Sequence, residues 1–312
     1  IGRIRHWFPP LVTGIVITAI GLALLPVGIK YASGGAAAFQ MNAPEWGDFS
    51  RWGLALVVIF VALGFKFFTR GTMSSAAILI GLIAGYVVGY LTGAVNFGGV
   101  AKAAWFAVPQ PFKYGVEFSA FAIIGMCLMS LVSAIETVGD ISGIAKGGAN
   151  REATDKELSG GTYADGFGSF IAGLFGGLPN TSFSQNVGLI SMTGVMSRSV
   201  VTLGALFLVA CGLIPKVGAV VAAMPISVLG GGVIVMFGMV VSAGINMLSD
   251  VHWNRRNMII LAMSLSVGLG IQAVPKSMQH LPDSLEMLMV SGLLPAAAIS
   301  VILNLLIPKD ID

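Results

Sequence analysis

Charge is what this sequence has least of. Asp, Glu, Lys and Arg together make up 10% of its 312 residues, against about 25% in an ordinary soluble domain. With 56% hydrophobic residues and a mean hydropathy of +0.90, that shortage excludes a soluble globular fold. A chain of this size cannot hide so much apolar surface, and lipid must solvate most of it. Cysteine is nearly missing: Cys127 and Cys211 lie inside apolar runs and offer no disulfide or metal spacing, so both read as packing residues. The three histidines, His6, His252 and His280, fall near span ends or in loops. No catalytic triad, metal cluster or phosphate loop appears, which argues against an enzyme. A formal charge of +3 is too small and too dispersed for nucleic acid. No signal peptide precedes the first apolar run, and the chain opens on Ile1, so it reads as a fragment or an internally started chain.

Glycine is abundant, at 42 residues. It follows no three-residue period, which excludes collagen, and it suits close helix contact in a membrane. Apolar stretches of about 17–25 residues read as spans. They fall at Phe8–Ile29, Trp52–Thr69, Ser74–Val95, Phe118–Ala145, Gly160–Leu178, an interrupted one at Pro179–Arg198, Ser199–Ile214, Pro225–Leu248, Met258–Ile271 and Met287–Ile307. Val217–Met224 reads as a short interfacial helix and Gly98–Gly115 as an outside loop. Of the 17 Lys and Arg residues, 11 fall in one set of connections, including Arg3, Arg5, Arg70, Lys146, Arg198, Arg256 and Lys309, and 6 in the alternate set. The positive-inside rule then puts both ends of the chain in the cytoplasm.

Three acids fall within these spans: Glu136, Asp140 and Asp165. A charge near the bilayer centre costs about 2.5–3.5 kcal/mol on the lenient insertion scale, so three are not kept without a use or a compensation. Glu136 and Asp140 are four residues apart and share one helix face. Carboxyl groups in such surroundings can bind and release protons near neutral pH, as a proton-coupled carrier needs. A structural role also stays open, in which these acids cap or bridge neighbouring helices.

The stretch Gly176–Asn186 reads Gly-Gly-Leu-Pro-Asn-Thr-Ser-Phe-Ser-Gln-Asn and cannot be a regular helix. Extended at about 3.3 Å per residue, Pro179–Gln185 would reach roughly 23 Å, to near mid-membrane. Asn186–Arg198 would then form a half-helix of about 20 Å. Such backbone is tolerated only where it is buried in protein or lines a cavity, and the half-helix would aim its positive dipole end into that cavity. Gln185 and Asn186 stand at its start. An amide offers a donor and an acceptor side by side, which suits the lactam edge of a purine or pyrimidine base. Asn186 serves equally as a plain helix cap.

The run Gln185-Asn-Val-Gly-Leu-Ile-Ser-Met-Thr-Gly-Val-Met-Ser-Arg198, with Phe8-Pro-Pro-Leu-Val-Thr-Gly14, Glu136-Thr-Val-Gly-Asp140 and Ala164-Asp-Gly166, resembles the nucleobase–ascorbate transporter family along the whole chain. The resemblance implies an all-α polytopic membrane protein of fourteen spans in two inverted seven-span repeats. On that plan the chain supplies spans five to fourteen, without the first four. Residues 1–115 and 216–312 would belong to a gate domain and 116–215 to the second half of a core domain, with one broken strand/half-helix span. It implies import of a purine base, xanthine or uric acid, by proton symport, with no cofactor beyond the coupling proton. It further implies a homodimer surrounded by lipid in the cell's inner or plasma membrane. Glu136 would hydrogen-bond the base, Gln185 would face it, and Phe183 and the Ser184 N–H would hold the ring. Asp165, Asn186 and Asp140 would support the site and the proton coupling. Gln at position 185 resembles the xanthine and uric acid carriers, whereas uracil carriers tend to have Glu there. A uracil carrier, a sodium-coupled carrier, and an anion carrier or channel of the same fold are the alternatives.

Overall fold

The computed structural model describes residues 9–183, 186, 187, 190 and 195–308. Among them every regular element is helical. The helices are α1 (Pro10–Ala32), α2 (Ala36–Gln40), α3 (Phe49–Phe68), α4 (Thr72–Ser75), α5 (Ala77–Leu91), α6 (Gly98–Lys102), α7 (Ala120–Ala149), α8 (Asp155–Leu174), α9 (Arg198–Gly212), α10 (Pro215–Ala222), α11 (Ile226–Leu248), α12 (Arg255–Ala273), α13 (Asp283–Val290) and α14 (Leu293–Leu306). Five of these described helices, α1, α3, α7, α11 and α12, are long and apolar enough to cross a bilayer. Helices α9 and α10 would make a sixth if taken as one span bent by 86°. The apolar side chains left outside the packing, such as Phe60, Phe67, Leu203 and Phe207, are those of a protein solvated by lipid.

The chain divides into two compact units, one of residues 1–23, 110–194 and 239–312, the other of residues 24–109 and 195–238. In the second unit α5 packs along α3. Gly81, Gly85 and Gly89 repeat every four residues and line the buried face of α5. A side chain on Gly81 would meet the Val58 carbonyl at 2.8 Å and the Ala62 amide at 3.2 Å. Backbone therefore lies almost on backbone, as small residues at four-residue spacing allow in a membrane. Leu54, Val58 and Val228 close the core beside it.

In the first unit α1 presents two apolar stripes. Val12 and Val16 pack with Val132, Ile135 and Ala297, while Leu11 and Ile15 pack with Leu248 and Ile260. Each pair is four residues apart, one helical turn. Buried Arg256 donates to the carbonyls of Asn304 at 2.6 Å and Ile307 at 3.0 Å. A cation thus satisfies the orphan carbonyls at the end of α14.

Four expected boundaries move. The span expected at Gly160–Leu178 is a helix that starts at Asp155, because Thr154 and Glu157 form a capping box. The Thr154 hydroxyl accepts from the Glu157 N–H at 3.3 Å, and Glu157 accepts from the Thr154 N–H at 2.9 Å. Arg151 grips Glu157 through both guanidinium nitrogens, at 2.6 and 2.9 Å, and these bonds hold the Glu157 carboxyl well below its ordinary range. Met287–Ile307 is not one helix, because it breaks between α13 and α14 at Gly292, whose φ of +71° side-chain-bearing residues rarely adopt. Ser74–Val95 is interrupted at Ala76. Arg198 opens α9, with Ser197 as its extended N-cap, and does not close the expected half-helix.

Gly81→Val should overpack the α3–α5 contact and lower stability by about 1–3 kcal/mol, because the atoms met are main chain and cannot turn aside. Gly64 has nothing within 4 Å of a built Cβ, so Gly64→Val should leave the melting temperature in detergent nearly unchanged. Equal melting of the two variants would contradict the close approach.

Candidate functional site

The site begins where α8 stops. Gly176 has a φ of +73°. Its N–H donates to the Gly173 carbonyl at 3.1 Å, and the Gly177 N–H donates to the Ala172 carbonyl at 2.7 Å. This is a Schellman ending, and Pro179 prevents the helix from resuming. Residues 177–183 then run without helix and fold back over α7 and α8.

Three consecutive residues of this segment each meet one acid. Asn180 donates through Nδ2 to Asp165 Oδ1 at 3.0 Å. Thr181 Oγ1 donates to Glu136 Oε2 at 3.0 Å. Ser182 Oγ donates to Asp140 Oδ2 at 2.6 Å. One step along the segment brings the next acid within reach. Ser169, one turn beyond Asp165 on α8, fixes the register: the Asn180 N–H donates to its hydroxyl at 3.1 Å, and that hydroxyl donates to the Asn180 carbonyl at 3.0 Å.

Helix α7 adds a second layer. Ser133, Glu136, Thr137 and Asp140 fall on one stripe at three- and four-residue spacing. Glu136, Thr137 and Asp140 are buried, and Asp165 on α8 is half-buried. Ser133 Oγ lies 3.1 Å from Asp165 Oδ2 and 2.9 Å from Thr181 Oγ1. Thr137 Oγ1 lies 3.4 Å from Asp165 Oδ2 and 3.3 Å from Ser182 Oγ. The charged members of this network are all acidic. Hydroxyls and an amide hold them together, which is how buried polar groups avoid the cost of standing unpaired.

The structure therefore brings Glu136, Asp140 and Asp165 to one place, whereas their spacing alone joins only Glu136 and Asp140. Phe183 follows directly on Ser182 and is exposed. The Asn186 N–H donates to the Phe183 carbonyl at 3.0 Å, and the Asn186 side chain is exposed. Ser184 and Gln185 lie outside the described residues, as do Phe8 and the signature positions Gly188 and Thr193. So do Arg3, Arg5 and Lys309 of the orientation argument, and His6.

Sequence reasoning missed Asn180, Thr181 and Ser182, which it treated only as helix breakers, and Ser133, Thr137 and Ser169 altogether. A signal for the α7 pair was present. Polar residues at 133 and 137 continue the stripe of Glu136 and Asp140 on an otherwise apolar helix. Nothing in the sequence says which acid each hydroxyl meets.

Comparison with known proteins gives the family. The Permease family model (Xan_ur_permease) matches residues 1–277. The chain is similar to a xanthine permease of Bacillus subtilis, 37% identical over 306 residues, covering 97% of this chain and 68% of the relative. It is similar to the nucleobase transporter PlUacP of Paenibacillus larvae, 37% identical over 98% of this chain and 69% of that protein. It is also similar to the uric acid transporter UacT of Escherichia coli, 37% identical over 97% of this chain and 62% of the relative. The chain thus spans about two thirds of the length of these curated relatives. With a family match over most of its length and relatives of this identity, the chain belongs to this permease family, as a multi-pass membrane transporter and not an enzyme.

Proposed function

We propose that the chain carries a purine base, xanthine or uric acid, inward by proton symport. The observation that carries the reading is the gathering of Glu136, Asp140 and Asp165 on the broken segment. The printed names of the relatives, a xanthine permease and a uric acid transporter, supply the substrate class.

In this reading Glu136 is both a ligand of the base and the main proton-linked group. A purine offers N–H donors, and a carboxylate is the strongest acceptor a side chain can present to them. Gln185 presents its amide to the lactam edge, and Phe183 with the Ser184 N–H holds the ring. Asp165, Asp140 and Asn186 support the site and the cycle. No cofactor is required beyond the coupling proton. The working form is a homodimer in the cell membrane with both ends of this chain in the cytoplasm. An anion carrier is less well supported, because it calls for a cation near the break, and the charged groups meeting Asn180, Thr181 and Ser182 are acids.

Uptake of radiolabelled xanthine, uric acid and uracil, with and without a protonophore, tests the reading. Concentrative uptake of a purine that the protonophore abolishes is expected. Uptake driven by a sodium gradient alone would overturn the proton assignment, and uptake of uracil alone would overturn the purine.

Glu136→Gln keeps the shape and removes the titration, so the variant should lose proton-driven accumulation while keeping its membrane abundance. Full accumulation in that variant would remove Glu136 from the coupling. Gln185→Glu should change the ratio of xanthine to uracil uptake, because an ionised carboxylate accepts but does not donate. Unchanged relative uptake of the three bases would take Gln185 out of the site.

A further inference from the structure

Two hydroxyl groups stand in line between Asp165 and Glu136. Asp165 Oδ2 is 3.1 Å from Ser133 Oγ, Ser133 Oγ is 2.9 Å from Thr181 Oγ1, and Thr181 Oγ1 is 3.0 Å from Glu136 Oε2. All three separations are close to ordinary hydrogen-bond lengths. Each hydroxyl has one proton to give, so two hydroxyls can fill only two of the three contacts. Filling the third takes a proton on a carboxyl group at one end of the line. With the proton on Asp165, every bond points from Asp165 towards Glu136. With the proton on Glu136, every bond points the other way. The two arrangements have the same heavy-atom positions and differ only by one proton shifted along each bond.

We infer that Ser133 and Thr181 form a proton relay between Asp165 and Glu136, an inference that rests on the proton-symport reading above. The transfer balances with no further reactant. The O–H bond of Asp165 breaks as Ser133 Oγ takes its proton. The Ser133 proton passes to Thr181 Oγ1, and the Thr181 proton passes to Glu136 Oε2. Asp165 ends as a carboxylate, Glu136 ends as a neutral acid, and both hydroxyls are regenerated facing the other way. Rotation about their C–O bonds resets the line.

The line also joins unlike environments. Glu136 is only 9% exposed on α7, whereas Asp165 is half-buried on α8. A proton taken up at the more open acid reaches the closed one without passing through water. Its arrival turns the Glu136 carboxylate into a neutral acid whose O–H is given to Thr181, so that the other oxygen becomes a weaker acceptor for a base. A second line runs from Asp165 Oδ2 through Thr137 and Ser182 to Asp140, at 3.4, 3.3 and 2.6 Å. Two of its three contacts are near the limit for a hydrogen bond, so the Ser133–Thr181 line is the working one.

The test compares concentrative uptake with counterflow, in which labelled base exchanges against unlabelled base and no net proton movement is needed. It uses membrane vesicles carrying the full-length protein. Ser133→Ala should lower the initial rate of proton-driven uptake by about a hundredfold, the low end of what a positioned proton donor contributes, and lower counterflow far less. Thr181→Val should lose proton-driven uptake as well, with counterflow also reduced because Thr181 docks the segment on Glu136, and Ser133→Thr and Thr181→Ser, which keep the hydroxyl, should restore both. Normal proton-driven uptake in both Ser133→Ala and Thr181→Val would overturn the relay and leave proton symport standing. Loss of counterflow together with proton-driven uptake, unrelieved by the hydroxyl-retaining variants, would assign these residues to packing and also overturn it. Protonophore-insensitive uptake by the unaltered protein would overturn the symport reading itself, and the relay with it.

Discussion

Two difficulties in this chain solve each other. A broken segment in an apolar bundle leaves polar side chains and main-chain groups without helical partners. Three carboxyl groups in an apolar bundle need hydrogen-bond donors or they are too costly to keep. Asn180, Thr181 and Ser182 donate in turn to Asp165, Glu136 and Asp140, so each difficulty supplies the partner the other needs. Remove the break and the acids lose three donors. Remove the acids and the segment keeps only its bonds to Ser169, Ser133 and Thr137. The rest of the described site depends on this docking, because it fixes where Phe183 follows on Ser182.

The local devices that make the docking possible are ordinary ones. Gly176 and Gly177 end α8 through two backbone hydrogen bonds and reverse the chain. At its other end α8 is started by the Thr154–Glu157 capping box and held by Arg151. Helix α7 is 30 residues long, about 45 Å at 1.5 Å per residue, and its polar stripe from Ser133 to Asp140 offers the segment one continuous face. Each device lies within a short stretch of chain. The contacts between Thr181 or Ser182 and α7 span more than forty residues.

That difference in range separates what could be read from the sequence from what could not. The membrane character, the long helices, the break after Gly176 and the three acids within the apolar runs follow from composition, length and periodicity, which are local properties. The start of α8 was legible too, in Thr154 and Glu157, but the apolar pattern drew attention to Gly160 instead. The break at Gly292 was hidden because a glycine in an apolar run serves close packing and positive φ equally well. The pairing of Asn180 with Asp165 rather than with Glu136 depends on how the returning segment registers on two helices, and side-chain chemistry does not fix it, since any of the three donors could serve any of the three acids. The fold class was therefore written in the sequence, as were the acids of the site. The wiring between them needed coordinates.

The most direct measurement is a cross-link between the segment and α7. With Cys127 and Cys211 replaced by alanine, cysteines at positions 140 and 182 would stand where Asp140 and Ser182 meet through a 2.6 Å hydrogen bond, within the reach of a disulfide or of a very short bifunctional thiol reagent. The account predicts rapid bridging of this pair, seen as a linked peptide by mass spectrometry. A pair at 140 and 178, one residue before Pro179, should remain unbridged. Failure of the 140–182 pair to bridge, or equal bridging of both pairs, would show that the segment does not rest on the carboxyl face of α7 in this register.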